Sequence, residues 1–191
     1  YTLDAAEIPG GRGDGVPVGS LVELQNGAEV AAMISGLPEQ HYLLSNSGGY
    51  GFIAKLADMV GRVKAGKVMI SLEAGEKVLP PQAVFTVSLI NPDCKVVLAS
   101  SANRLLAFAL GELKVMAKGR GLQLMNLGED EKLAHIAVVS TPEFMVESVG
   151  KRGAARCERL RIQDIENKRG RKGRLLEISG RLKAIGGTDA E

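Results

Sequence analysis

Residues 47–59 read SGGYGFIAKLADM and residues 101–113 read SANRLLAFALGEL, and the two align without a gap at an offset of 54. Each ends on an acid followed by an aliphatic residue, Asp58-Met59 and Glu112-Leu113, and the same pair recurs as Glu7-Ile8 and Asp164-Ile165. Eight or nine residues after each acid stands a glycine that opens an apolar strand: Gly15, Gly66, Gly121 and Gly173, separated by 51, 55 and 52 residues. Beyond the first three lies a second shared element, Leu24/Val30, Leu72/Val78 and Leu127/Leu133, with a degenerate copy at Ile178, Gly180 and Leu182. Self-similarity at a period of just over fifty residues marks a repeat architecture, in which one small unit cannot bury both faces alone and must stack on its neighbours.

Within each unit the apolar stretches are short and bounded by Gly, Ser, Asn or Asp: 42–45, 51–56, 67–72, 83–90, 95–99, 104–110 and 133–139. That pattern reads as several strands per unit joined by turns. Residues 104–116 fit a helical period as well as an extended one, and the alignment with 47–59 decides for strand. Pro80-Pro81 and Asn91-Pro92 punctuate the connections. The expectation is a single all-β domain of propeller-like blades, with units at about 1–34, 41–84, 95–139 and 144–187 and strands restarting at Gly66, Gly121 and Gly173. The first unit lacks opening strands and the chain does not begin with Met, so it reads as a piece of something longer.

The chain has 191 residues, 45% of them hydrophobic, and no apolar run near the roughly 20 residues that a membrane helix needs. Tyr1-Thr2-Leu3-Asp4 has neither the basic nor the apolar region of a signal peptide. Cys94 and Cys157 show no CxxC spacing, which argues against a disulfide framework or zinc site and for a reducing cytoplasm. The net charge of +2 hides a segregation: residues 151–183 hold twelve Lys and Arg against four Asp and Glu, a net of +8, out of 24 against 22 in the whole chain, which leaves −6 for the rest. Such asymmetry points to a partner.

The charge also follows the repeat. The turn before each glycine is basic: Arg12; Arg62 and Lys64, with Lys67 just after the glycine; Lys118 and Arg120; then Lys168, Arg169, Arg171, Lys172 and Arg174. The later turn is mainly acidic: Glu23 and Glu29; Glu73 and Glu76; Glu129, Asp130 and Glu131. Equivalent positions in stacked blades share a rim, so the basic turns are expected to form a curved stripe with the acidic turns elsewhere. Such a stripe suits a bent duplex, because Lys and Arg replace counterions along the phosphates and Gly-rich turns admit close backbone approach. Exposed turn charges contribute little to stability, so neutralising Lys118 and Arg120 is expected to weaken DNA binding without unfolding the chain.

The stretch RGDGVPVGSLVELQNGAEV (12–30) resembles the C-terminal domain of the DNA topoisomerase IV A subunit. The likeness continues through SNSGGYGF (45–52), RVKAGKVMISL (62–72), KGRG (118–121), VGKR (149–152) and RGRKG (169–173). The resemblance implies a β-pinwheel of four-stranded blades that exchange strands with their neighbours, and a rim that binds and bends the duplex to be transported through the enzyme's gate. It adds Lys151 and Arg152 to the phosphate-contacting set. It implies as partners double-stranded DNA, the upstream breakage-reunion domain of the same polypeptide, the topoisomerase IV B subunit in the heterotetramer, and a bacterial condensin. ATP and Mg2+ are implied for the intact enzyme and none for this domain. The implied location is cytoplasmic and nucleoid-associated, peripheral at the inner membrane within the intact enzyme. The QRRGGKG box of the related gyrase domain is missing, with only loose echoes in GGRGDG (10–15) and KRGRKG (168–173), which favours topoisomerase IV. A gyrase A wrapping domain and a propeller-type protein-interaction module are the alternatives.

Catalysis by this chain alone finds no support. His41 and His135 fall in different units and belong to no triad, so they read as loop or strand residues. No His/Cys/acid cluster has metal-ligand spacing. The glycines at 10–15 and 48–51 lack the strand-to-helix setting of a nucleotide loop, and Arg12-Gly13-Asp14 reads as a repeat turn. The family's catalytic tyrosine belongs to the breakage-reunion domain, so Tyr1, Tyr42 and Tyr50 inherit no such role. Tyr50 and Phe52 read as core or blade-seam packing.

Overall fold

A computed structural model describes residues 1–150, 152–178 and 180–187. Three antiparallel sheets follow one another along the chain. The first is built on the hairpin β1 (His41–Ser45) and β2 (Tyr50–Lys55), with β3 (Gln82–Val84) on the far side of β1. The second is built on β4 (Lys95–Ser100) and β5 (Arg104–Ala109), with β7 (Leu133–Val139) beside β4. The third joins β8 (Glu143–Gly150) to β9 (Ala155–Arg161) and to β11 (Gly180–Gly187). Among the described residues helix is confined to single turns such as Leu56–Met59 and Thr86–Ile90.

Two short strands cross between sheets. β6 (Leu122–Gln123) pairs with β2 of the first sheet, through Tyr50↔Gln123 and Gly51↔Leu122. β10 (Arg174–Leu175) pairs in the same way with β5 of the second, through Arg174↔Leu105 and Leu175↔Arg104. Each is led in by one of the repeat glycines, in the left-handed region at φ 85° for Gly121 and 77° for Gly173. An added Cβ on Gly121 would stand 2.2 Å from the Gly51 carbonyl oxygen, and on Gly173 2.6 Å from that of Leu105. The chain changes sheets there because only glycine permits both the backbone angle and the approach.

Side-chain alternation explains the apolar runs. On β1 and β2, Leu43 and Ile53 join Val96, Leu98, Leu106 and Phe108 of the second sheet in one core. Tyr42, Leu44, Phe52 and Ala54 point to the opposite face, where Ile70 and Met116 cover them. On β4 and β5 the intervening residues Val97, Ala99, Leu105 and Ala107 pack with Phe144, Val146 and Leu182 of the third sheet. A sheet buried on both faces requires unbroken apolar strands, and VVLAS and RLLAFA are such strands. β9 is mostly exposed and carries Arg156, Glu158, Arg159 and Arg161, charges that discourage edge-to-edge pairing.

The hairpin turns also follow the alignment. Gly49 and Asn103, 54 residues apart, both take positive φ, 83° and 59°. Asparagine tolerates that region, and the Asn103 side chain further binds the third sheet, donating to the Gly180 carbonyl at 2.8 Å and accepting from Leu182 N–H at 3.1 Å.

Three strand expectations fail. Gly15 leads into a helical turn, Val18–Leu21, and residues 67–72 make only a parallel bridge, Ile70 to Gly119. A strand led in by a repeat glycine needs the second strand of the preceding hairpin, and among the described residues before His41 there is no hairpin. The run 83–90 is extended only to Val84 and then makes the Thr86–Ile90 turn, which carries the chain to the second sheet. The third sheet has three strands among the described residues where four-stranded blades were expected.

Two expected outcomes follow from this packing. Gly121→Ala costs about 2–5 kcal/mol, left-handed strain and a forced backbone shift together, whereas Gly75→Ala, at φ 80° with open space around it, costs only about 1–2 kcal/mol. Urea unfolding of both variants measures the difference, and equal losses would remove the strand-exchange explanation. The second outcome concerns His135 on β7. Burial pushes its imidazole below the ordinary histidine range, partly opposed by a backbone contact with Leu182. Because the folded pKa lies below the unfolded value of about 6.5, His135 adds stability above that pH and loses it as pH falls through the folded value. The melting temperature should therefore drop from pH ~7.5 to ~5.5, and His135→Gln should flatten the drop.

Candidate nucleic-acid interface

The basic turns are positioned by backbone bonds that repeat at successive junctions. After the second sheet's hairpin the chain runs parallel to β2, where Ile53 N–H donates to Lys114 O at 3.0 Å and Met116 N–H donates to Ile53 O at 2.8 Å. The next turn docks on residues 69–71, with Gly119 N–H donating to Met69 O and Ser71 N–H donating to Gly119 O. One junction later, Ala107 and Asn167 make the matching bonds along β5, and the turn docks through Gly170 N–H to Leu124 O and Asn126 N–H to Arg171 O. The basic turns 118–120 and 169–172 thus occupy corresponding places, the second longer by one residue, with the Arg171 carbonyl in the role of Gly119's.

The cations on these turns are not alike. Arg62, Lys64, Lys118, Arg152, Lys168, Arg171 and Lys172 are exposed. Lys67 is exposed and donates to the Asp58 carbonyl at 2.6 Å, and Arg174 donates to the Asp164 carbonyl at 3.1 Å. Lys151 lies outside the described residues. Arg169 is half-buried, with its guanidinium on the Gln123 carbonyl and its Nε buried without a protein partner. Arg120 is half-buried too, 2.5 Å from Glu73 and 2.7 Å from Glu76, and its guanidinium lies 4.3 Å from the centre of the Tyr50 ring.

Two expectations are corrected by that cluster. The acidic turns do not all lie away from the basic ones, because the turn at 118–120 folds back onto the loop at 73–76 of the preceding unit. Nor are all the turn charges free of structural duty: removing Arg120 would strip a half-buried carboxylate of its counter-ion, which costs far more than losing an exposed charge.

Glu76 and Glu131 are the residues that charge patterning missed. Their side chains are only 11% and 7% exposed. Glu76 accepts from the Asn46 amide at 3.2 Å and closes its own loop through Glu73 N–H at 2.8 Å. Glu131 accepts from the Ser100 hydroxyl and closes its loop through Gly128 N–H at 2.9 Å. Each ties a loop to the hairpin turn below it. Their separation of 55 residues, close to the repeat, was the available signal.

Comparison with known proteins places this geometry. A family model of the DNA gyrase C-terminal domain, a β-propeller, matches residues 95–140. The A subunit of DNA topoisomerase 4 from Neisseria gonorrhoeae is 66% identical over 185 residues, covering 97% of this chain and 24% of that protein. The chain belongs to the family of topoisomerase IV A subunits. The C-terminal domain of Escherichia coli ParC has the same fold, with a TM-score of 0.83 and 28% identity across 96% of this chain and 74% of that one. A gyrase A C-terminal domain, at TM-score 0.66 and 19% identity across 97% of this chain and 60% of that one, shares the fold. The chain spans about a quarter of the length of the curated topoisomerase IV relatives it matches.

Among the described residues, no group of three or more His, Cys, Asp or Glu could hold a metal ion. No helix among them is long and apolar enough to cross a membrane. The buried acids are structural, so Glu76→Gln and Glu131→Gln should each lower stability by about 1–3 kcal/mol. Exposed Glu129→Gln should stay within about 0.5 kcal/mol. Denaturant titration decides it, and identical curves for all three would make the two acids ordinary surface charge.

Proposed function

We propose that this chain binds duplex DNA along the edge formed by its basic turns and bends the duplex. On this reading it serves the A subunit of a type II topoisomerase by holding the segment to be transported during decatenation and relaxation. The physical basis is counterion release: a cation that meets a phosphate frees a condensed ion, and a row of cations on a rigid scaffold does so at spaced points along one duplex. The observation that carries the reading is the recurrence of exposed Arg or Lys on corresponding turns at successive sheet junctions, at Lys118, Arg171 and Lys172, with Arg62 and Lys64 one unit earlier. Phosphate contacts of this kind position the protein without reading sequence. The B subunit, the breakage-reunion domain, ATP and Mg2+ belong, on this reading, to the intact assembly.

The test is affinity for a linear duplex across a salt series, with fluorophores on the duplex ends to report bending. Log affinity should fall linearly with log salt, by about 0.9 per phosphate contacted, and bound duplex ends should approach each other. Arg62→Gln with Lys64→Gln should reduce the slope by about two. Lys77→Gln with Lys132→Gln, two lysines of the other loops, should change it far less. Equal losses from the two pairs, or a flat salt dependence, would sink the reading.

A further inference from the structure

Arg120 is held from three sides, and the three holds are unequal. Its guanidinium lies 4.3 Å from the centre of the Tyr50 ring. Through Nη2 it binds Glu76 at 2.7 Å, and through Nη1 it binds Glu73 at 2.5 Å. The Glu76 carboxylate is 11% exposed and also accepts from the Asn46 amide at 3.2 Å and from Glu73 N–H at 2.8 Å. The Glu73 carboxylate is 73% exposed, and among the described residues its side chain has no polar contact besides Arg120. Glu76 is therefore an anchor, locked into the loop and the hairpin turn below it, whereas Glu73 is free to swing away.

The fold does not need that second carboxylate. The loop closes through Glu73 N–H onto the Glu76 side chain and through Glu76 N–H onto the Glu73 carbonyl at 3.0 Å. The matching loop of the next unit makes the same two bonds, Gly128 N–H to the Glu131 side chain at 2.9 Å and Glu131 N–H to the Gly128 carbonyl at 3.2 Å, with a glycine in the place of Glu73. An exposed ion pair also adds little stability. What the Glu73 side chain does is fill the outward edge of a guanidinium that the ring and the buried acid already orient. A guanidinium binds carboxylate and phosphate oxygens with the same fork of N–H donors, so Glu73 sits where a phosphate oxygen would sit. A side chain already fixed in place has little freedom left to lose on binding. Lys118, exposed two residues earlier on the same turn, adds a second cation beside it.

We propose that the outward edge of Arg120 is a gated phosphate site for the duplex backbone, with Glu73 as the gate. In the free chain the Glu73 carboxylate fills the edge; a backbone phosphate displaces it to water, while Tyr50 and Glu76 keep the guanidinium in place. One charge-assisted pair is exchanged for another and no covalent bond changes. Because Glu73 is tethered beside the fork, an isolated anion competes with it poorly. A duplex already engaged at Lys118 presents its next phosphate at high local concentration and competes well. The inference rests on the DNA-binding reading above and deepens it.

The experiment titrates one linear duplex, at one salt concentration, into the wild-type chain, Glu73→Gln, Arg120→Gln, the double variant Glu73→Gln/Arg120→Gln, Glu73→Asp and Glu129→Gln. Circular dichroism melting checks the folding of each. Glu73→Gln should tighten binding by about three- to tenfold and leave the melting temperature unchanged. Arg120→Gln should weaken binding, and adding Glu73→Gln to it should then gain less than about twofold. Glu129→Gln removes an exposed acid from the matching loop and should also gain less than about twofold. Glu73→Asp keeps the charge but draws it back by one methylene from Nη1, so it should still gain about twofold or more, a result that stands even if Arg120→Gln fails to fold. No gain from Glu73→Gln, an equal gain from Glu129→Gln, a full gain in the Arg120→Gln background, or wild-type affinity for Glu73→Asp each overturns the gate while leaving DNA binding intact. Absence of binding by the wild-type chain overturns both.

Discussion

The crossing of the chain into the preceding sheet at Gly121 and Gly173 is the constraint on which the other features depend. A backbone at φ near 80° whose Cα lies against a neighbouring carbonyl has no room for a side chain. Once the chain takes that path, β6 and β10 complete sheets begun by an earlier unit, and the segments before them must run parallel to β2 and β5. The first two sheets thus contain backbone from two units each. Neighbouring sheets are locked by hydrogen bonds as well as by apolar packing, and nearest-neighbour coupling of this kind is what makes a repeat array stable.

The electrostatics inherit the same geometry. A basic turn sits at each crossing because it precedes the glycine, and the loop of the earlier unit lies below because the chain has just passed over it. Whether a cation there faces solvent is then decided by three or four neighbours. Arg120 meets two carboxylates and a ring; Arg171 meets neither kind among the described residues. The distinction matters for a polyanion, since an arginine already paired in a half-buried site has less to gain from a phosphate than one whose only competitor is water.

The central sheet shows how burial and repeat cooperate. Val96, Leu98, Leu106 and Phe108 face one neighbour, and Val97, Ala99, Leu105 and Ala107 face the other, so neither face tolerates a polar residue. The third sheet is covered on one face, and its strands alternate accordingly: Phe144, Val146 and Ser148 are buried between exposed or half-exposed neighbours. Position in the stack is thus written into the polarity of each hairpin.

Much of this was legible in the amino-acid order. The gap-free match of 47–59 with 101–113 fixed the hairpins and their turns, because periodic burial and left-handed turn positions are local properties that recur with the unit; of the strand read over 104–116, Arg104–Ala109 is extended and Leu110–Glu112 is a 3-10 turn. The glycines that admit the crossing were visible for the same reason. The sequence could not say that 67–72 would fail to form a ladder, since that depends on a hairpin to pair with, nor that 83–90 would turn after Val84. It also showed basic and acidic turns as separate runs. Only the tertiary structure brought Arg120 onto Glu73 and Glu76 and left Arg171 facing solvent, because those partners lie 44 to 47 residues away and meet only when the chain has crossed between sheets.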